Sequence, residues 1–267
     1  VVIGRPLSGD AGGYVPVATL LGPDVPQITL PVSGEVRRAL QVDPSATVLL
    51  ARDGSYGPWM ELAVMDARFT KVAAHVVNRL PDWAFGRDQD RLRYFSGLVN
   101  DPHPAIRRLA LLELDRASYD ALRKLRLPSL QGLSEDLRQG DDALKPIRVL
   151  LAGVTGDRSL TTLIARDLDA AVRGDVAYTG AYATALIELE GKAGVDHIIS
   201  RYLASDSLPA NAAPRLFDAL ALQYKTGAGQ TRRHIAREVA RLVRDRPALA
   251  DIAAAQFRFR GQRAFGE

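Results

Sequence analysis

Hydrophobic and polar positions change their period once along this chain. Up to about Arg68 the apolar residues come in short, β-branched runs: Val1 to Gly4, Tyr14 to Leu21, Gln27 to Val32, Thr47 to Ala51 and Trp59 to Val64. Turn clusters separate them, such as Ser8-Gly9-Asp10-Ala11-Gly12-Gly13, Gly22-Pro23-Asp24 and Asp53-Gly54-Ser55-Tyr56-Gly57-Pro58. Short runs at this spacing predict about five antiparallel strands in a small barrel or sandwich. From Lys71 onward the spacing is helical, with elements expected at Lys71–Leu80 (closed by Pro81), Arg91–Val99, His103–Arg116, Tyr119–Leu125 and Leu130–Arg138. Further helices are expected at Ala143–Val154, Ser159–Arg173, Tyr178–Glu190, Gly194–Ala204, Ala212–Tyr224, Thr231–Arg244 and Pro247–Phe257. Breakers such as Gly156-Asp157, Gly174-Asp175, Gly191 and Gly227-Ala228-Gly229 fall where antiparallel helix pairs need turns.

One segment is more specific than the rest. In Asp101-Pro102-His103-Pro104-Ala105-Ile106-Arg107-Arg108-Leu109-Ala110 two prolines stop one helix and Asp101 is placed to cap the next. This order of residues resembles the turn and second helix of a HEAT-type repeat, with echoes at Leu144-Lys145-Pro146-Ile147-Arg148 and Ala212-Ala213-Pro214-Arg215-Leu216. A unit of that kind cannot bury its apolar faces alone and implies stacked neighbours. The front of the chain is similar to small OB-type or netrin-like barrels of bacterial exported proteins. The fold expected is therefore α+β and multidomain: a small N-terminal antiparallel β-barrel or sandwich over residues 1–70, a linker helix and aromatic loop over 71–90, and an all-α HEAT-like solenoid over 91–267.

Composition sets outer bounds. With 267 residues, 47% of them hydrophobic, the chain can bury a substantial core. The formal charge is +4, and 30 of the 35 basic residues are arginine; acidic and basic residues interleave, so no charge block marks a nucleic-acid surface. The absence of cysteine excludes disulfides, thiol nucleophiles and cysteine-ligated metal. No segment has the apolar length to span a bilayer, which predicts a soluble chain. A strand-like start at Val1 without an initiator Met suits a mature exported, periplasmic protein; a boundary set elsewhere, or a cytoplasmic chain, explains it as simply.

The search for chemistry finds little. His75, His103, His197 and His234 are far apart in sequence, and no metal-ligand pairing on their own helices is expected of them. Ser8 and Ser55 sit in turns without the strand–elbow–helix setting of a nucleophile. Thr226-Gly227-Ala228-Gly229-Gln230-Thr231 lacks the ending of a phosphate loop and suits a helix-pair turn. Glu188 with Glu190, and Asp167 with Asp169, stand two apart, so each pair diverges and is expected on a solvated helix face. Neither catalytic residues, nor cofactor, nor metal is expected.

Binding is the better-supported class. Tyr56, Trp59, Trp83 and Phe85 lie in or beside turns and are candidate partner contacts. The HEAT resemblance implies that second helices line a concave face, which adds Arg107 and Arg108. The function expected is a non-catalytic protein–protein interaction scaffold or accessory subunit of a bacterial complex. A nucleic-acid-binding HEAT-like protein and a bilin-lyase-like enzyme are the alternatives.

Overall fold

A computed structural model describes residues 1–7, 12–54, 56–84, 88–128 and 142–262, with the side chains of 142 and 259–262 outside the description. Four strands form at β1 (Val2–Pro6), β2 (Tyr14–Thr19), β3 (Thr47–Arg52) and β4 (Trp59–Met65). They make one antiparallel sheet in the order β2-β1-β3-β4. The sheet is open, and this corrects the expected barrel. The run Gln27 to Val32 does not become a fifth strand; it makes one bridge, Tyr14 to Ile28, through hydrogen bonds of 2.8 and 3.0 Å. The next pair of that ladder would set Pro16 against Pro26. Neither has an N–H to donate, so the pairing cannot extend in that direction.

A helix that the periodicity did not predict, α1 (Gly34–Val42), follows this segment. Ser33 caps it, its hydroxyl accepting from the Val36 N–H at 3.2 Å. Val36 on α1 joins Val2, Tyr14, Ile28, Val48 and Leu50 in a buried cluster, so α1 closes one sheet face. Ile3 and Met65 are buried as well. Because β-strand side chains alternate, Val2 and Ile3 point to opposite faces, and both faces of β1 are covered.

Glu61 on β4 pins this arrangement. Its carboxylate accepts from the Ser33 N–H at 2.9 Å and from the Tyr14 hydroxyl. Burial works to raise its pKa, but the hydrogen bonds from Ser33 and Tyr14 outweigh it and hold the carboxyl below the ordinary glutamate range. A carboxyl depressed in this way adds stability that is present above the unfolded value, about 4.3 for glutamate, and is lost as pH falls through the folded value. Both tryptophans of the chain, Trp59 and Trp83, lie within Val1–Arg91, so their fluorescence reports on this unit. Acid unfolding followed by that signal is expected to lose its steepest part in Glu61→Gln, whose stability at neutral pH is already lower.

Helix α2 (Ala67–Ala84) starts at Asp66, whose carboxylate accepts from the Phe69 N–H at 2.7 Å, and packs on β4. It runs through Pro81, where a helix end was expected, and takes in Trp83, expected in a loop. Proline there removes one backbone hydrogen bond in the final turn. The Arg79–Asp82 ion pair at 2.7 Å and the burial of Trp83, 6% exposed, offset that loss. Phe85 lies outside the described residues.

The chain divides into two compact units, Val1–Arg91 with Pro102–Arg107, and Leu92–Asp101 with Arg108–Glu267. Helices α3 (Asp88–Ser96) and α4 (Pro104–Asp115) each contribute residues to both. The residue preceding α4 is His103 rather than Asp101, and its Nδ1 accepts from the Ala105 N–H at 3.2 Å. Pro104 fixes the helix start, which moves the cap position two residues along.

The second unit is helical: α5 (Tyr119–Arg123), α6 (Lys145–Thr155), α7 (Thr161–Arg173), α8 (Thr179–Glu190), α9 (Lys192–Ile198, continued by a π-helical turn to Leu203), α10 (Ala212–Thr226), α11 (Gly229–Asp245) and α12 (Ala250–Gln262). The expected helix over Leu130–Arg138 lies outside the described residues. Helices α6, α8, α10 and α12 pack side by side as one layer, and α9 lies beside α11 in a second; α7, α9 and α11 each pack on the first layer. The core lies between the layers, with Ile164 and Leu168 of α7, Leu186 and Leu189 of α8, Ile198 of α9, Phe217 and Leu220 of α10, and Ile235 and Leu242 of α11. Two glycines let α8 sit close to its neighbours. A Cβ at Gly153 on α6 would stand 2.8 Å from Ala185 Cα, and one at Gly194 on α9 would stand 2.7 Å from the Leu186 carbonyl oxygen.

Candidate functional site

Helix α8 is an inner member of its layer, packed between α6 and α10, and one stripe of it faces the opposite side from α7 and α9. Ala181, Thr184 and Glu188 recur at helical spacing along that stripe, with Gly180 beside it and Ala177 just before the helix begins. Ala177, Gly180, Ala181 and Thr184 form the floor of a groove of about 650 Å³. Pro146 and Leu150 of α6 make one wall; Pro214, Asp218 and Leu222 of α10 make the other, and Gln256 of α12 also lines it. The small floor residues lower the surface between taller walls, so the concavity follows from residue size along three adjacent helices.

An ion pair braces the groove through Arg215. Asp175, in the α7–α8 connection, has a left-handed backbone (φ 49°), a conformation that costs aspartate less than most residues and that its surroundings here enforce. Arg215 supplies the enforcement, donating to the Asp175 carboxylate at 2.7 Å and to its carbonyl at 2.8 Å, and the Asn211 amide donates to the carboxylate at 2.6 Å. Tyr178 lines the groove and also a neighbouring pocket of about 300 Å³ that holds Lys145, Arg166, Asp167 and Tyr182. The Lys145 ammonium sits 5.3 Å from the centre of the Tyr178 ring.

Beyond Thr184 the same stripe of α8 ends in a polar network. Glu188 accepts from Arg123 Nε at 2.9 and 3.0 Å, from the Tyr119 hydroxyl at 3.0 Å and from Gln223 Nε2 at 2.8 Å. Gln223 also donates to the Thr184 carbonyl at 3.2 Å, and Arg123 donates to the Thr226 carbonyl. Burial, then the Glu188 carboxylate, push the Tyr119 phenol well above its ordinary range, so it acts as a donor. The network ties α5 to α8 and α10. It corrects the expectation that Glu188 lines a solvated face: its side chain is 16% exposed.

A second tertiary cluster joins α9 to α11. His234, buried, places Nε2 2.5 Å from Asp196 Oδ1, and Arg237 Nη2 lies 2.7 Å from Nδ1. Since a guanidinium can only donate, this geometry assigns the ring proton to Nε2, facing the carboxylate. Asp169 on α7 accepts from Arg201 at 2.7 and 2.9 Å and from the Tyr202 hydroxyl at 2.6 Å, at the π-helical turn. Among the described residues no group of three His, Asp or Glu side chains is placed to hold a metal ion, and no helix is long and apolar enough to cross a membrane.

The six residues singled out from sequence do not meet in this groove. Arg107 is half-buried and its Nη1 donates to the Pro102 carbonyl at 3.0 Å, bracing the turn before α4; Arg108 is exposed. Trp83 is inside, its ring 6.3 Å from that of His75. Trp59 is half-buried against the sheet core under the Arg52 guanidinium, 4.9 Å from its ring centre. Tyr56 is fully exposed at the β3–β4 turn. Phe85 is outside the described residues. What sequence reasoning missed is the groove itself and Tyr119, Arg123, Glu188 and Gln223. One signal was available: Gln223 falls in the apolar stripe of Leu216, Phe217 and Leu220, where a polar side chain needs a partner. Comparison with protein-family models, with curated proteins and with solved structures found no match to this chain.

Proposed function

We propose that this protein is a non-catalytic interaction scaffold: a HEAT-like α-solenoid, fronted by a small β-sheet unit, whose groove takes a segment of a protein partner. The observation that carries this reading is the groove over α8, a mostly apolar trough between α6 and α10 with Thr184, Arg215, Asp218 and Gln256 among its lining. Such a trough suits the apolar face of an amphipathic helix, whose anchors at three- and four-residue spacing would sit along the floor. The alternation of helices between two layers supports the solenoid reading, since that architecture presents one layer as an extended binding surface. Function on this reading is surface complementarity, with the Arg215–Asp175 and Glu188 networks holding the walls in place.

Ala181→Trp tests it, because a large ring on the floor fills the trough from a half-exposed position. Ala181 is half-buried against the edge of the core, so the variant is expected to lose about 1–3 kcal/mol while keeping the wild-type far-ultraviolet circular dichroism spectrum. It should lose the proteins that copurify with the wild-type chain from its native extract, while Met60→Trp on the exposed side of β4 retains them. Retention of the same partners by Ala181→Trp would contradict the proposal.

A further inference from the structure

Helix α11 carries more arginine than any other described helix. Its sequence holds five arginines, Arg232, Arg233, Arg237, Arg241 and Arg244, against Glu238 and Asp245. Thr231, His234, Ile235 and Leu242 form the buried side, and Arg233, Arg237, Arg241 and Arg244 are exposed on the opposite one. At about 100° per residue these four fall within about 80° of arc, a single stripe. Successive members Arg233, Arg237 and Arg241 are separated by four residues, about 6 Å of rise.

We infer that this stripe is a second docking surface, for an acidic helix of a protein partner that carries Asp or Glu at four-residue intervals. The inference stands on α11 alone and is separate from the groove. A helix with carboxylates at that interval repeats at the same 6 Å or so and can meet the arginines in register. The guanidiniums are already ordered from below. Glu238 accepts from Arg237 Nε at 2.9 Å and from Arg241 Nη1 at 3.0 Å, yet the two arginine side chains remain 65% and 63% exposed. Ala236 and Ala240 beside the stripe allow close approach, and no large apolar side chain of α11 is exposed there to enter a bilayer.

The width of the stripe decides between polyanions. On α9, beside α11, Asp196 reaches His234, so a carboxylate of a second helix lies next to the stripe. A duplex or an anionic bilayer, broader than one helix, would press its phosphates on that carboxylate. A single acidic helix laid along the arginines need not cover it.

The test uses the full chain and two alanine-based peptides of identical composition, each held helical by a staple on its far side. One carries four Glu at four-residue intervals; the other carries them spread around the helix. Binding followed by fluorescence anisotropy at low salt is expected to favour the spaced peptide about tenfold, as several exposed ion pairs of modest strength would give, and to weaken with added salt. Arg233→Glu/Arg244→Glu, which leaves the Glu238 pairs intact, should abolish that preference with the melting temperature unchanged. Equal binding of the two peptides would overturn the inference, as would tighter binding to duplex DNA or to phosphatidylserine vesicles than to the spaced peptide.

Discussion

Gly153→Val is expected to destabilise the helical unit by about 3 kcal/mol, at the upper end of what overpacking costs. Two effects compete at this site. Glycine within a helix is about 1 kcal/mol worse than alanine, so propensity alone predicts that a side chain at Gly153 helps. Packing opposes it: a Cβ there would lie 2.8 Å from Ala185 Cα, 3.1 Å from its Cβ and 3.3 Å from its carbonyl oxygen. Two of those three atoms belong to the backbone and cannot swing aside, so α6 would have to back away from α8. Gly153→Ala is accordingly expected to be less stable than wild type by about 1 kcal/mol, packing outweighing propensity. Valine adds branching that a helix disfavours and a larger clash. At about 2–4 °C per kcal/mol for a unit of this size, Gly153→Val should melt about 6–12 °C lower by far-ultraviolet circular dichroism. A Gly153→Ala variant that melts higher than wild type would show that α6 and α8 are not in close contact.

Glu188→Ala comes next, with an expected loss of about 3 kcal/mol. The carboxylate receives hydrogen bonds from Arg123, Tyr119 and Gln223, and its removal leaves the Tyr119 hydroxyl and the Gln223 amide buried with an acceptor missing. A buried donor without its partner costs about 1–3 kcal/mol, and a hydrogen bond to a charged group contributes about 1.5–3 kcal/mol, so the summed effect exceeds that of an exposed ion pair. Glu188→Gln keeps the shape and one acceptor and should lose about half as much. Because the three donors share one carboxylate, Tyr119→Phe and Glu188→Gln should not add: a double-mutant cycle is expected to return a coupling of about 1 kcal/mol or more. Additive losses would show that the tyrosine and the glutamate act separately.

How far each part was legible in sequence follows from which interactions form it. Helices α6 to α11 were placed to within about two residues, because their ends are set locally: α7, α8 and α10 stop at Gly174, Gly191 and Gly227, each named as a breaker, whereas α12 starts three residues after the expected Pro247 and runs five past the expected Phe257. Helix α2 was cut short because Pro81 is a local stop signal that the tertiary burial of Trp83 overrides. The strand expected over Gln27 to Val32 has the right composition, and it fails only where Pro16 would meet Pro26, a pairing that no single segment reveals. Helix α1 is amphipathic, but at nine residues it is short and lies among strand-length runs and turn clusters, which hide it.

The groove was the least legible feature. Its floor is Ala177, Gly180, Ala181 and Thr184, residues with almost no chemical signature, and its walls come from helices some thirty residues away on either side in sequence. Paired carboxylates and nucleophiles announce themselves by type; a concavity made of small residues between larger ones becomes visible only when the neighbours are known.

The central claim is that this trough receives a protein segment, and photocrosslinking tests it most directly. A benzophenone side chain placed at Leu150 on one wall, and in a second sample at Leu222 on the other, would be irradiated in the native extract and the adducts sequenced. The same partner protein is expected from both walls, through one contiguous segment with apolar residues at three- and four-residue spacing, and no such adduct from a control at Met60. Adducts to nucleic acid or to small molecules from both walls, or no protein adduct above that control, would contradict it.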